Sequence, residues 1–167
     1  MELNDETLRF IREHCKDDVR NLALQAPKYP GVDMPVALTQ IAGRQAAAEK
    51  IPSWHEEEGI LYPRHLSLEQ CSSEATARYK ASIIPESSSG TLTDLTGGFG
   101  IDCAFLSPKF HHVTYVERQE VLCEIASHNF PLLGLNHIRI ENKDGIRHLQ
   151  ELSLIHISEP TRLLSIS

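Results

Sequence analysis

The sequence predicts an α/β protein, with a helical N-terminal domain followed by the first half, about three parallel strands, of a Rossmann-like sheet. Three observations predict it. Through residues 1–84 apolar side chains recur at helical spacing, punctuated by prolines and acidic caps. From residue 91 short alternating strands are separated by helix-length segments, which implies parallel strands joined by crossovers. At the change stands Thr91-Leu92-Thr93-Asp94-Leu95-Thr96-Gly97-Gly98-Phe99-Gly100-Ile101-Asp102, where an acid closes a strand, glycines turn the chain and an apolar helix begins.

In the helical part, Leu8, Ile11 and Cys15 mark a helix over 5–16 that Asn4 or Asp5 caps. Asp17 or Asp18 caps a second through Val19, Leu22 and Leu24, ended by Pro27 and Pro30. Pro35 opens a third, which Gly43-Arg44-Gln45 interrupts, either for a close helix contact or to position a polar pair near the ligand cleft. Ile51 to Trp54 ends the helical run, and Trp54 reads as a core or interdomain plug. Residues 59–64 read as an extended connector, because Pro63 biases its predecessor away from helix. A helix spans Leu68 to Ile84, begun or interrupted by Ser72-Ser73-Glu74.

The second domain, 85–151, holds strands at 91–95, 112–117 and 138–142. Helices follow at 101–108, at 119–129 (broken by Pro131 and Gly134) and from Ile146.

The net charge of −7 is spread evenly, so neither part has the composition of a basic nucleic-acid surface. Cys15, Cys71, Cys103 and Cys123 form no C-x-x-C pair and read as reduced thiols of a cytoplasmic protein. Glu2, Asp5 and Glu6 stand where a secretory leader has basic residues, and no run reaches the ~18 apolar residues of a membrane span. No membrane partner and no metal are expected: His111, His112, His128, His137 and His148 lack a second ligand at helical spacing.

Two cofactor classes suit a glycine turn after a first strand. A dinucleotide wants a third glycine, and here Cys103 stands in its place. Asp102 would also set a carboxylate beside a diphosphate, at a cost of roughly 4 kcal/mol at an effective dielectric of 20. S-adenosyl-L-methionine carries no phosphate and presents a cationic sulfonium and an amino group, for which Asp94 or Asp102 is an asset. Glu117, closing strand two, is placed to accept ribose hydroxyls, and Asp144, after strand three, to meet an adenine amino group. The first of these is shared with NAD sites.

Asp94 through Asp102, Tyr115-Val116-Glu117, Ala126-Ser127-His128-Asn129 and Asp144-Gly145 resemble class I S-adenosylmethionine-dependent methyltransferases with a THUMP-like C-terminal domain. So do Phe10-Ile11-Arg12-Glu13-His14, Asp17-Asp18-Val19-Arg20, Leu22-Ala23-Leu24-Gln25, Gln40 through Ala46, Gln70 through Glu74 and Ala77 through Ala81, so the resemblance covers about residues 3–151. It implies S-adenosyl-L-methionine as cofactor, bound by Asp94, Thr96, Gly97, Gly98, Gly100, Asp102, Glu117, Asp144 and Gly145. It implies RNA as substrate in the full-length protein. The Ser72-Ser73-Glu74 helix resembles the segment that closes over the cofactor in guanine-N2 methyltransferases.

The Asp/Asn-Pro-Pro-aromatic motif that follows strand four in such enzymes has no counterpart here, so the catalytic residues are unknown. Leu152-Ser153-Leu154-Ile155-His156-Ile157-Ser158-Glu159-Pro160-Thr161-Arg162 resembles an in-frame translation of a sequencing adapter, and 152–167 is expected to be non-native. The chain is therefore expected to be an inactive fragment of poor stability, with an open sheet edge. The competing expectations are an NAD-dependent oxidoreductase and a non-catalytic RNA-binding module.

Overall fold

The structure, a computed structural model, describes residues 3–85 and 90–155. The chain forms two compact units that divide between Gln70 and Cys71.

The first unit is helical: α1 (Asp5–Glu13), α2 (Val19–Leu24), α3 (Met34–Lys50), α4 (Pro52–Glu56) and α5 (His65–Gln70). Asn4, Asp18 and Asp33 cap the first three, each side chain accepting a backbone N–H of the first turn. Phe10, Leu22, Met34, Ala37 and Ile41 form a core between these helices, with Tyr29 packed edge-on to Phe10. Gly43 does not interrupt α3; the helix runs through it. Its missing side chain admits Tyr62, whose Cβ lies 2.3 Å from where a glycine Cβ would stand. The close contact is therefore with the 59–64 connector rather than with another helix. Trp54 is buried in α4, which continues the helical run beyond its expected end because Pro52 suits a first turn.

The second unit holds α6 (Glu74–Ser82), β1 (Thr91–Asp94), α7 (Ile101–Leu106), β2 (His112–Glu117), α8 (Glu120–Leu132), β3 (Ile138–Asn142) and α9 (Gly145–Ile155). The three strands are parallel in the order β1-β2-β3, with Asp94 opposite Tyr115 and Glu117 opposite Asn142. Among the described residues both β1 and β3 are edges. Leu92, Val113, Tyr115, Val116, Ile125 and Phe130 are among the buried side chains between sheet and helices.

Three expectations about helices are corrected here, those for 68–84, for Pro131 and for 101–108. The helix expected over 68–84 is two helices, α5 and α6, because the Ser73 hydroxyl accepts the Thr76 N–H and starts a new one. α6 packs on α7 and so goes with the sheet, although the change of sequence pattern falls at 84 and 85. Pro131 does not break α8 but sits in its last turn. The helix closes on Gly134 (φ 72°), with Leu135 N–H donating to Phe130 O and Gly134 N–H to Pro131 O, a Schellman motif. The helix expected over 101–108 gives way after Leu106 to a 3₁₀ turn, Ser107–Lys109.

α9 extends to Ile155, so the first residues of the segment expected to be non-native continue a helix; residues 156–167 lie outside the described residues. Among the described residues no helix is long and apolar enough to cross a membrane.

Candidate functional site

The turn from β1 to α7 is held open from below by β2. Gly97 N–H donates to Val116 O (2.9 Å), and the Tyr115 hydroxyl donates to Gly98 O (2.6 Å). Gly98 N–H in turn donates to Glu117 Oε2 at 3.0 Å. Gly98 (φ 54°) and Gly100 (φ 89°) occupy the left-handed region, and Gly100 caps α7. At Gly97 the requirement is space: a Cβ would stand 2.2 Å from the Tyr115 ring. Tyr115 is fully buried, and burial pushes its hydroxyl well above its ordinary value, so it acts as a fixed donor.

The acids gather at the C-terminal ends of the strands, where open parallel sheets bind ligands. Asp94 ends β1, and its Oδ1 accepts the Thr96 N–H at 3.0 Å. Burial chiefly, and then the Asp102 and Glu117 carboxylates, push it up to about 6, against the pull of the Thr96 N–H and the Lys80 ammonium. Glu117 is buried at the end of β2, its Oε1 accepting the Gln119 N–H (2.8 Å). Asn142 Nδ2 and Lys143 N–H both donate to Glu117 O, which ties the ends of β2 and β3 together. Asp144 is exposed, and its Oδ1 caps α9 by accepting the Ile146 and Arg147 N–H groups. Beside it, a Cβ on Gly145 would stand 2.3 Å from Leu95 O, so this glycine lets the β3–α9 turn meet the glycine turn.

The structure brings Asp94, Thr96, Gly97, Gly98, Gly100 and Glu117 into one hydrogen-bonded turn, with Gly145 against it. Asp102 lies in the first turn of α7 with partners on α6 and just before it. Its Oδ2 accepts from Lys80 Nζ and from the Ser72 hydroxyl, both at 2.8 Å, while its Oδ1 is buried without a partner. Lys80, Ser72 and Tyr115 are the members sequence reasoning did not assign. Tyr115 had a signal, since it alternates onto the buried face of β2, two residues before Glu117. Cys103, in the position of a third fingerprint glycine, is buried and its thiol pushed well up by burial and the neighbouring acids, which makes it packing.

A glycine turn after the first strand of a parallel sheet, with Asp94 and Glu117 closing the first two strands, is consistent with part of a methyltransferase-type α/β fold. The comparison with solved structures agrees. The fold matches the crystal structure of a "putative methyltransferase" from Porphyromonas gingivalis W83, with a TM-score of 0.69 and 27% sequence identity over 93% of this chain. The chain spans 40% of the length of that protein. No protein-family model and no curated protein sequence matches the chain.

Proposed function

We propose that the chain carries the cofactor-binding half of an S-adenosyl-L-methionine-dependent methyltransferase acting on a nitrogen of an RNA base. The observation that carries the cofactor is the gathering of Asp94, Glu117 and Asp144 around a turn in which the Thr96, Gly97, Gly98 and Gly100 N–H groups are committed to protein acceptors. Such a turn sets carboxylates beside its remaining amides, and so suits a cationic ligand better than a diphosphate. The donor set fits the group. Each Glu117 oxygen accepts one N–H and keeps a lone pair for a ribose hydroxyl. Asp94, desolvated and pushed up to about 6, gains by meeting a cationic amino group. Asp144 retains acceptor capacity for an adenine amino group. When bound, the cofactor supplies an electrophilic methyl to an amine lone pair, and the chain's part is positioning.

The RNA substrate rests on the resemblance to enzymes with a THUMP-like domain, and the segment 152–167 as a non-native tail rests on its likeness to an adapter. The chain by itself is proposed to be inactive, since it lacks a residue set for presenting a base. One observation favours the NAD reading more than the sequence does: Lys80 neutralises Asp102, which relieves part of the repulsion of a diphosphate.

Titration calorimetry of the chain with S-adenosylmethionine, S-adenosylhomocysteine and NAD separates the readings. Heat with adenosylmethionine that Glu117→Ala abolishes is expected; heat with NAD alone would replace this reading with the oxidoreductase. Methyl transfer to RNA by this chain would overturn its proposed inactivity.

A further inference from the structure

The helical unit contains a cleft of about 570 Å³ between α1, α3 and the 59–64 connector. That is within the range of small-molecule sites, roughly 300–1,000 Å³. Its walls are partly apolar, with Leu8, Ile11 and Ile60 among them, and two arginines line it, Arg12 from α1 and Arg44 from α3. Gln40 also lines it, but both ends of its amide are spent on the Tyr62 backbone. Among the described residues neither Arg12 nor Arg44 forms a side-chain hydrogen bond or an ion pair, although the Glu58 carboxylate lines the same cleft.

Two guanidiniums from different helices that line one cleft, unpaired among the described residues, suit an oxyanion, because the planar fork pairs with carboxylate or phosphate through two parallel hydrogen bonds. The net charge of −7 disfavours a polyanion on this surface, while the cleft's volume and its apolar side chains suit a small one. We propose that this cleft binds a small organic anion, its phosphate or carboxylate held by Arg12 and Arg44 and its apolar body packed on Leu8, Ile11 and Ile60. The site is separate from the glycine turn and stands whether or not the cofactor reading holds.

The probes are 1-naphthyl phosphate and 1-naphthoate, with inorganic phosphate and a single-stranded oligoribonucleotide as contrasts, titrated into the chain by calorimetry. At least one naphthyl anion is expected to bind more tightly than inorganic phosphate. Arg12→Gln and Arg44→Gln are each expected to weaken it roughly tenfold or more, the usual loss for a charge-assisted hydrogen bond. Glu58→Gln is expected to tighten it, since it removes a like charge; a purely structural role for these residues would not give opposite signs. Arg12 and Glu58 are exposed, so their substitution spares the core. Binding unchanged in the Arg12→Gln/Arg44→Gln protein, no binding of either naphthyl anion, or binding of the oligoribonucleotide alone would overturn the proposal.

Discussion

Lys80 and Asp102 are joined across α6 and α7, with Nζ 2.8 Å from Oδ2 and the Ser72 hydroxyl bonded to both. Both side chains are largely shielded, at 17% and 25% exposure, so this pair is not screened as a surface bridge is. One residue earlier than the helix turn through Lys80, Tyr79 points outward, and Arg78 lies over the Phe105 ring at 4.8 Å. α6 is thus clamped to the first turn of the glycine-loop helix. Lys80→Met leaves the Asp102 carboxylate half-buried with a hydroxyl alone, and is expected to cost about 1–3 kcal/mol in urea unfolding. Lys80→Arg should recover part of it. Unchanged stability in Lys80→Met would show that the clamp contributes nothing.

Asp94 gives the chain a pH dependence of known sign. Its folded pKa of about 6 lies above the ordinary carboxylate value of 3.8, chiefly through burial. Between those values the folded state holds more protons than the unfolded one, so stability from this group is full at low pH and falls as pH rises through about 4 to 6. Asp94→Asn keeps an oxygen for the Thr96 N–H and removes the charge. It is expected to stabilise the chain at pH 7 by roughly 1–3 kcal/mol, to have little effect at pH 4, and to abolish cofactor binding. Equal effects at the two pH values in thermal unfolding would contradict the assignment.

How far the sequence anticipates this molecule depends on the range of the interaction involved. β2 and β3 fall where the alternation of His112–Glu117 and Ile138–Asn142 places them, because strand period and flanking turns are local signals. Gly43 and Pro131 misled because their usual meaning was overridden by tertiary contact, Gly43 by the Tyr62 ring and Pro131 by a helix already about to close. The acids Asp94 and Glu117 were legible as strand-end carboxylates. The fate of Asp102 was not, since its partners Ser72 and Lys80 lie 30 and 22 residues away on another helix.

The glycines of the turn differ in what they require, and substitution should rank them. At Gly97 a methyl group meets three Tyr115 ring carbons at 2.2–2.6 Å, and that ring is fixed by full burial and by its bond to Gly98 O. At Gly98 the nearest atom is 3.7 Å away, and the cost is the left-handed φ alone. Gly98→Ala is expected to cost about 1–2 kcal/mol and Gly97→Ala at least about 3, by chemical denaturation. The reverse order would mean that Tyr115 gives way.

Gln40 takes the place of a neighbouring strand for the 59–64 connector. Its Nε2 donates to Tyr62 O (2.9 Å), its Oε1 accepts from Tyr62 N–H (2.8 Å), and all of this is buried. Gln40→Leu strands a buried donor and a buried acceptor together, and is expected to cost about 2–4 kcal/mol. Gln40→Glu is the sharper test. An ionised Glu still accepts the Tyr62 N–H, but its second oxygen faces Tyr62 O with no proton between them, so the buried charge is opposed by both desolvation and a lone pair. A protonated Glu restores the proton and can make both bonds. Its folded pKa must therefore rise above the unfolded value, and the variant should approach the parent protein in stability below about pH 4 while losing ground steadily above it. A Gln40→Glu protein whose deficit is the same at pH 4 and pH 8 would show that the connector is held by the packing of Tyr62 against Gly43 and not by this amide.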